Sequence, residues 1–205
     1  MDPRSLVLVH GAGSGPWVFE GWADTFPGVC LSAVDLQARR DVSHTSSADY
    51  AGVVEEAVST ASRPIVVCGW SMGGLIAMMA AAVTQPDALV LLEPSPPAEV
   101  QGTDESVEVS AGAFDPQAVY GPFPEDMRAR PESSLARSER KRGISVPVLL
   151  CHTIVVSGRE FPDERGSSLA RAYGAQWRAF PRLSHWDLVR DPAVRTEIAV
   201  LVREL

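Results

Sequence analysis

The chain has 205 residues, 45% of them hydrophobic, which suits one domain around a single buried core. Its 18 Lys and Arg against 26 Asp and Glu give a formal net charge of -8. That balance argues against a nucleic-acid binder, which shows a basic stripe, and no apolar run reaches the ~18 residues of a membrane-spanning helix.

The expected molecule therefore has neither a nucleic-acid nor a membrane partner. Its start, "MDPRSLVLVHG", shows no basic stretch followed by a long apolar one. A cytoplasmic protein without a signal peptide is the expectation. The three cysteines, Cys30, Cys68 and Cys151, sit in or beside apolar runs and read as small core residues. Their odd number and the absence of C-x-x-C argue against a disulfide framework.

In chain order, residues 6–10 ("LVLVH") form the first predicted strand. It runs into a glycine-rich turn, "GAGSGPW", that offers backbone N–H groups to a negative charge. A dinucleotide is the first candidate, because Gly11 and Gly13 make G-x-G and Asp35 ends the next strand. The third small residue of that fingerprint should fall at position 16, which is Pro16, so no dinucleotide is expected. Residues 29–35 make a second strand. Residues 46–61 make a helix with Tyr50, Val53, Val54, Ala57 and Val58 as its core stripe.

Residues 64–69 form a strand and 73–83 a helix that is apolar all round and so buried. Between them lies Gly69-Trp70-Ser71-Met72-Gly73, a complete G-x-S-x-G. A chain that turns this sharply at Ser71 leaves no room for side chains two positions away, hence the glycines. The turn lifts the serine hydroxyl off the sheet edge and aims a helix N-terminus at it. Residues 88–93 are the next strand.

Residues 94–145 break the rhythm: they are rich in Pro, Gly and charge and hold no convincing strand. This stretch reads as a short lid or a surface excursion. Within it, "RSERKR" (137–142) reads as a solvated helix face. A further strand falls within 146–157, another at 175–180, and a last helix at 191–205 opens on Asp191 and Pro192. The alternation predicts an α/β fold: one domain, a mostly parallel sheet, helices on both faces.

A serine hydroxyl needs a base. Of the four histidines, His185 in "LSHWDL" alone occupies a loop after the last strand, where it can reach Ser71. The histidines are scattered, so no metal site is expected, and no cofactor either.

"LVHGAG", "GWSMGG" and "SHW" together resemble the α/β-hydrolase family, and the similarity spans nearly the whole chain. The resemblance implies the order serine, acid, histidine along the sequence. It also implies that the glycine turn serves a transient oxyanion, through the backbone N–H groups of Ala12 and Met72. Members usually carry the acid as an aspartate after the penultimate strand. Here "VSGREFPDE" offers none in register, since Gly158 plus three is Phe161. Glu93, Glu160 and Asp163 are the alternatives, or no acid at all. Trp17, Trp70 and Trp186 lie near the motifs and are candidate walls of an apolar acyl pocket.

The expected reaction is hydrolysis of an ester, thioester or lactone of a small acyl substrate through an acyl-serine, in a fairly open site. The alternative is a non-hydrolytic protein on the same scaffold: a lyase, isomerase, cyclase or binding module. The departure at the acid gives that alternative its weight.

Overall fold

In the computed structural model, which describes residues 4–203, six strands form one all-parallel sheet. These are β1 (Ser5–Val9), β2 (Cys30–Val34), β3 (Ile65–Trp70), β4 (Ala88–Leu92), β7 (His152–Ser157) and β8 (Gln176–Ala179). Their spatial order is β2-β1-β3-β4-β7-β8. The strands β1, β3 and β4 are buried along their whole length, which is why they read as continuous runs of Val, Leu and Ile. The edges are different. Every residue of β8 is exposed, and Cys30 at the start of β2 is exposed too, against the expectation that it packs in the core. Cys68 is fully buried, on a central strand.

Successive residues of a strand point to opposite faces, so the sheet feeds two cores. Val7, Val9, Val67, Leu89 and Leu91 pack on one side with Tyr50, Val54 and Val58 of α1 (Ser47–Thr60) and Leu75, Ile76 and Met78 of α2 (Met72–Thr84). Leu6, Leu8, Val66, Val90 and Leu92 pack on the other with Phe19, Trp22 and the apolar face of the C-terminal helix. Helices thus cover both faces, as the alternation predicts.

Helix α1 begins at a capping box. Ser46 Oγ accepts from the Asp49 N–H at 3.1 Å, and Asp49 Oδ2 accepts from the Ser46 N–H at 2.9 Å. The predicted last helix at 191–205 is α8 (Pro192–Arg203), with residues 204 and 205 of the prediction outside the described residues, and an unpredicted short helix, α7 (Asp187–Arg190), precedes it. Asp191 separates them, and its Oδ1 accepts from the Ala193 N–H at 2.7 Å.

The excursion at 94–145 is more ordered than its composition suggests. It holds α3 (Ala98–Gln101), β5 (Ala113–Phe114), α4 (Pro116–Tyr120), β6 (Glu132–Ser133) and α5 (Ser134–Arg142). Contrary to expectation it contains strands: β5 and β6 form a two-stranded antiparallel ladder, too short to leave a periodic signal. Nor is "RSERKR" wholly solvated. Arg140 lies one helical turn after Ala136, and both are buried. An unpredicted π-helical turn, Asp163–Ser167, runs into α6 (Ser168–Tyr173).

Candidate active site

Pairing of β3 with β4 sets Trp70 opposite Leu92, and pairing of β4 with β7 sets Leu92 opposite Val156. The chain that follows, at Ser71, Glu93 and Ser157–Gly158, therefore leaves the same edge of the sheet side by side. The chain bends there. Ser71 has φ 56 and Glu93 has φ 42, both in the left-handed region that costs a non-glycine residue about 1–3 kcal/mol.

At Ser71 the surroundings hold the bend. Its N–H donates to Leu92 O at 3.0 Å, and its O accepts from Gly74 N at 3.0 Å and Ser95 N at 2.8 Å. The flanking glycines are required by contact. A Cβ at Gly69 would sit 2.4 Å from Gly73 O, and one at Gly73 would sit 2.3 Å from His10 O.

The acid position departs from a simple choice. Glu93, fully buried, brings Oε2 to 2.6 Å from His185 Nδ1, and its Oε1 accepts from the Gly158 N–H at 2.8 Å. Burial opposes ionisation of this carboxyl. The His185 hydrogen bond and charge, with the Gly158 N–H, outweigh it and hold Glu93 below the usual glutamate range. Glu160 meets the same residue elsewhere: its Oε2 accepts from the His185 backbone N–H, and Oε1 lies 3.6 Å from Arg159 Nε. Asp163 is exposed in the π-helical turn.

Ser71, His185, Ala12, Met72, Trp70 and Trp186 line one cavity of about 400 Å³. Ser71 Oγ makes no hydrogen bond among the described residues. In unliganded sites the nucleophile–base contact is often long and closes when substrate binds. The N–H groups of Ala12 and Met72 likewise donate to no protein group among the described residues. Trp70 Nε1 donates to His185 O at 3.0 Å, and its ring lies 4.9 Å from the imidazole and 4.7 Å from Trp186. Trp17 is placed elsewhere. The 3₁₀ turn Pro16–Phe19 carries it away from the cavity, where Nε1 donates to Arg128 O and Arg128 stacks over its ring at 4.3 Å.

The excursion supplies what the sequence motifs do not name. Tyr120, Phe123 and Arg140 wall the cavity from that side, and Phe161 and Arg165 from the loop after β7. Only the spacing of Arg140 from Ala136 was available as a signal. The excursion also braces the glycine turn. Arg130 holds Asp35 with both arms, at 2.5 and 3.1 Å, and its Nε donates to Ser14 O at 2.8 Å. His10, fully buried, accepts from the Leu36 N–H through Nε2 at 3.2 Å.

Glu132, also fully buried, accepts from Gly13 N at 2.8 Å, Tyr50 OH at 2.6 Å and Ser133 N at 2.8 Å. Burial, and then the charge of Glu132, push the Tyr50 phenol well above its usual range, so it stays a donor. Glu132→Leu leaves these three donors without an acceptor. The expected loss is on the order of 3 kcal/mol in urea denaturation, since each buried orphan costs about 1–3 kcal/mol. Glu132→Gln, which keeps an acceptor oxygen, should lose less.

No described helix is long and apolar enough to cross a membrane. Among the described residues no cluster of three or more His, Cys, Asp or Glu is placed to hold a metal ion.

Comparison with known proteins bears on this geometry. A family model described as "Alpha/beta hydrolase family" matches residues 6–202. Over 80 residues the chain is 30% identical to a pimeloyl-(acyl-carrier protein) methyl ester esterase of Neisseria meningitidis, covering 38% of this chain and 26% of that protein. The matched segment thus spans under a third of the curated relatives' length. Among solved structures, the RedJ thioesterase of the prodiginine pathway in Streptomyces coelicolor superimposes with a TM-score of 0.68 at 20% identity, covering 100% of this chain and 91% of that one. Tomato methylketone synthase I, complexed with 2-tridecanone, does so with a TM-score of 0.68 at 16% identity, covering 100% and 99%. At those identities the likeness concerns the fold.

Proposed function

The chain belongs to the alpha/beta hydrolase family, and on that premise we propose that it hydrolyses an ester, thioester or lactone of a small acyl substrate through an acyl-serine. The observation that carries this reading is the Glu93–His185 contact of 2.6 Å at the wall of the cavity that Ser71 enters. A buried acid on Nδ1 leaves Nε2 as the nitrogen free to take a proton.

In the proposed cycle Ser71 Oγ attacks the substrate carbonyl and His185 Nε2 accepts its proton. Glu93 fixes the Nδ1–H tautomer and stabilises the imidazolium. The N–H groups of Ala12 and Met72 hold the tetrahedral oxyanion, each donor being worth about 3–4 kcal/mol in the transition state. His185 then protonates the leaving oxygen or sulfur. Water enters, gives a proton to His185 Nε2 as it attacks the acyl carbon, and His185 returns that proton to Ser71 Oγ as the acid leaves. The aromatic walls at Trp70 and Trp186 would receive the apolar part of the substrate, and residues 94–145 act as the short lid. An acid supplied from the end of β4 supports hydrolysis over the non-hydrolytic alternative, whose weight rested on the missing aspartate after the penultimate strand.

The test is covalent. A serine-directed fluorophosphonate should add to the protein once, with the adduct on the peptide containing Ser71, and block turnover of p-nitrophenyl butyrate. Turnover that survives stoichiometric labelling, or no labelling and no turnover, would sink the proposal.

A further inference from the structure

The cavity holds two guanidinium groups for which the cycle above has no use. Arg140, 7% exposed, comes from α5 of the excursion, and Arg165 from the π-helical turn beyond β7. Each contributes a buried nitrogen with no hydrogen-bond partner, Nη1 of Arg140 and Nε of Arg165. The one side-chain bond of Arg140 is long, Nη2 to Tyr120 OH at 3.4 Å. Arg165 lies with its guanidinium carbon 3.9 Å over the Phe161 ring. Neither forms an ion pair within 4 Å among the described residues.

Burying a guanidinium away from an anion is costly, and burying two near each other more so. The acidic groups nearby are committed. Glu93 holds His185 and Gly158, while Glu160 holds the His185 N–H and faces Arg159. Glu164 is exposed, so its attraction for Arg165 is screened by solvent. Of the charged residues that line the cavity, Arg140 and Arg165 are positive and Glu160 is negative. Glu160 is itself taken up by Arg159 and the His185 N–H, so neither cavity guanidinium has an acidic partner within ion-pair distance among the described residues.

We propose that Arg140 and Arg165 form an anion subsite, and that the substrate is a carboxylic ester or thioester carrying a free carboxylate at the end remote from the scissile bond. The inference rests on the reading of Ser71 as the nucleophile. The planar guanidinium fork fits a carboxylate with two parallel hydrogen bonds. Phe123, Phe161 and Trp186 line the space and suit an apolar spacer between carboxylate and ester. Burial, with a smaller contribution from Arg140, outweighs the opposing charges of Glu164 and Glu93 and holds the Arg165 pKa below its ordinary value. A bound carboxylate would relieve that.

The wild-type protein tests this with a matched pair of substrates, the mono-p-nitrophenyl ester of adipic acid and p-nitrophenyl hexanoate. The hemiester should show a kcat/KM at least tenfold higher, with the difference mainly in KM. Arg165→Met and Arg140→Met should each cut that preference at least tenfold, Arg165→Met being the safer variant because the residue is only half-buried. A binding measurement separates the two readings. Adipate monomethyl ester titrated calorimetrically into Ser71→Ala should bind at least tenfold more tightly than methyl hexanoate. If it does while wild type cleaves neither ester, the subsite stands and the hydrolase reading falls. Equal binding of the charged and neutral ligands, or equal loss on both substrates in the arginine variants, overturns the subsite.

Discussion

Ser71→Ala is expected to lower kcat/KM for an activated ester by at least about 10⁴-fold while leaving the fold in place. The magnitude follows from the unit in which Ser71 would act. Removing the nucleophile of a serine–histidine pair forfeits nearly the whole benefit of the triad, and what remains comes from oxyanion donors and binding. On the proposed reading those donors are the N–H groups of Ala12 and Met72, which belong to backbone that alanine does not disturb. The alanine Cβ occupies the same place as that of serine, so the bend at φ 56 and its contacts to Leu92, Gly74 and Ser95 should persist. A companion variant makes the strain itself measurable. Ser71→Gly relieves the left-handed residue and should be more stable than Ser71→Ala by about 1 kcal/mol in urea denaturation, though no more active. If Ser71→Ala retained more than about 1% of wild-type turnover with an unchanged melting profile, the nucleophile would lie elsewhere.

Much of this arrangement is legible in the sequence because the physics is local. Three central strands announce themselves as unbroken apolar runs, being buried on both faces, and the serine turn as glycines that a Cβ would force into backbone oxygens. What escapes is what depends on distant contacts. The ladder between β5 and β6 has two residue pairs and no period to detect. Arg140 sits in a run that looks like a solvated face, and only its helical spacing from Ala136 betrays that it turns inward. Trp17 neighbours the glycine turn in sequence, yet the 3₁₀ turn that follows rotates it onto Arg128. Cys30 looks like core by its neighbours, but β2 lies at the sheet edge, a matter of strand order that composition does not encode. The choice between Glu93 and Glu160 is of the same kind. Both reach His185, and only geometry says which atom each one reaches.

That difference of atoms gives the second large effect. Glu93→Gln is expected to lower kcat by about 10³–10⁴-fold, and Glu160→Gln by less than tenfold. A carboxylate on Nδ1 accepts a proton-bearing nitrogen and so selects the tautomer whose Nε2 is free. An amide there also offers N–H groups, which favour the opposite tautomer, and such a change costs about 10⁴-fold in a serine triad. Glu93→Gln keeps an oxygen for the Gly158 N–H, so the loop after β7 should hold its shape. Glu160 accepts from the backbone of residue 185, and an amide oxygen does that as well. Acid stability provides an independent readout. The folded-state pKa of Glu93 is depressed, so its contribution is present above the unfolded value of about 4.3 and lost as pH falls through the folded one. Wild type should therefore lose stability more steeply below that pH than Glu93→Gln does. Equal rate losses in the two variants would mean that the acid acts through residue 160 as much as through residue 93, and the placement of the triad on β4 would fail.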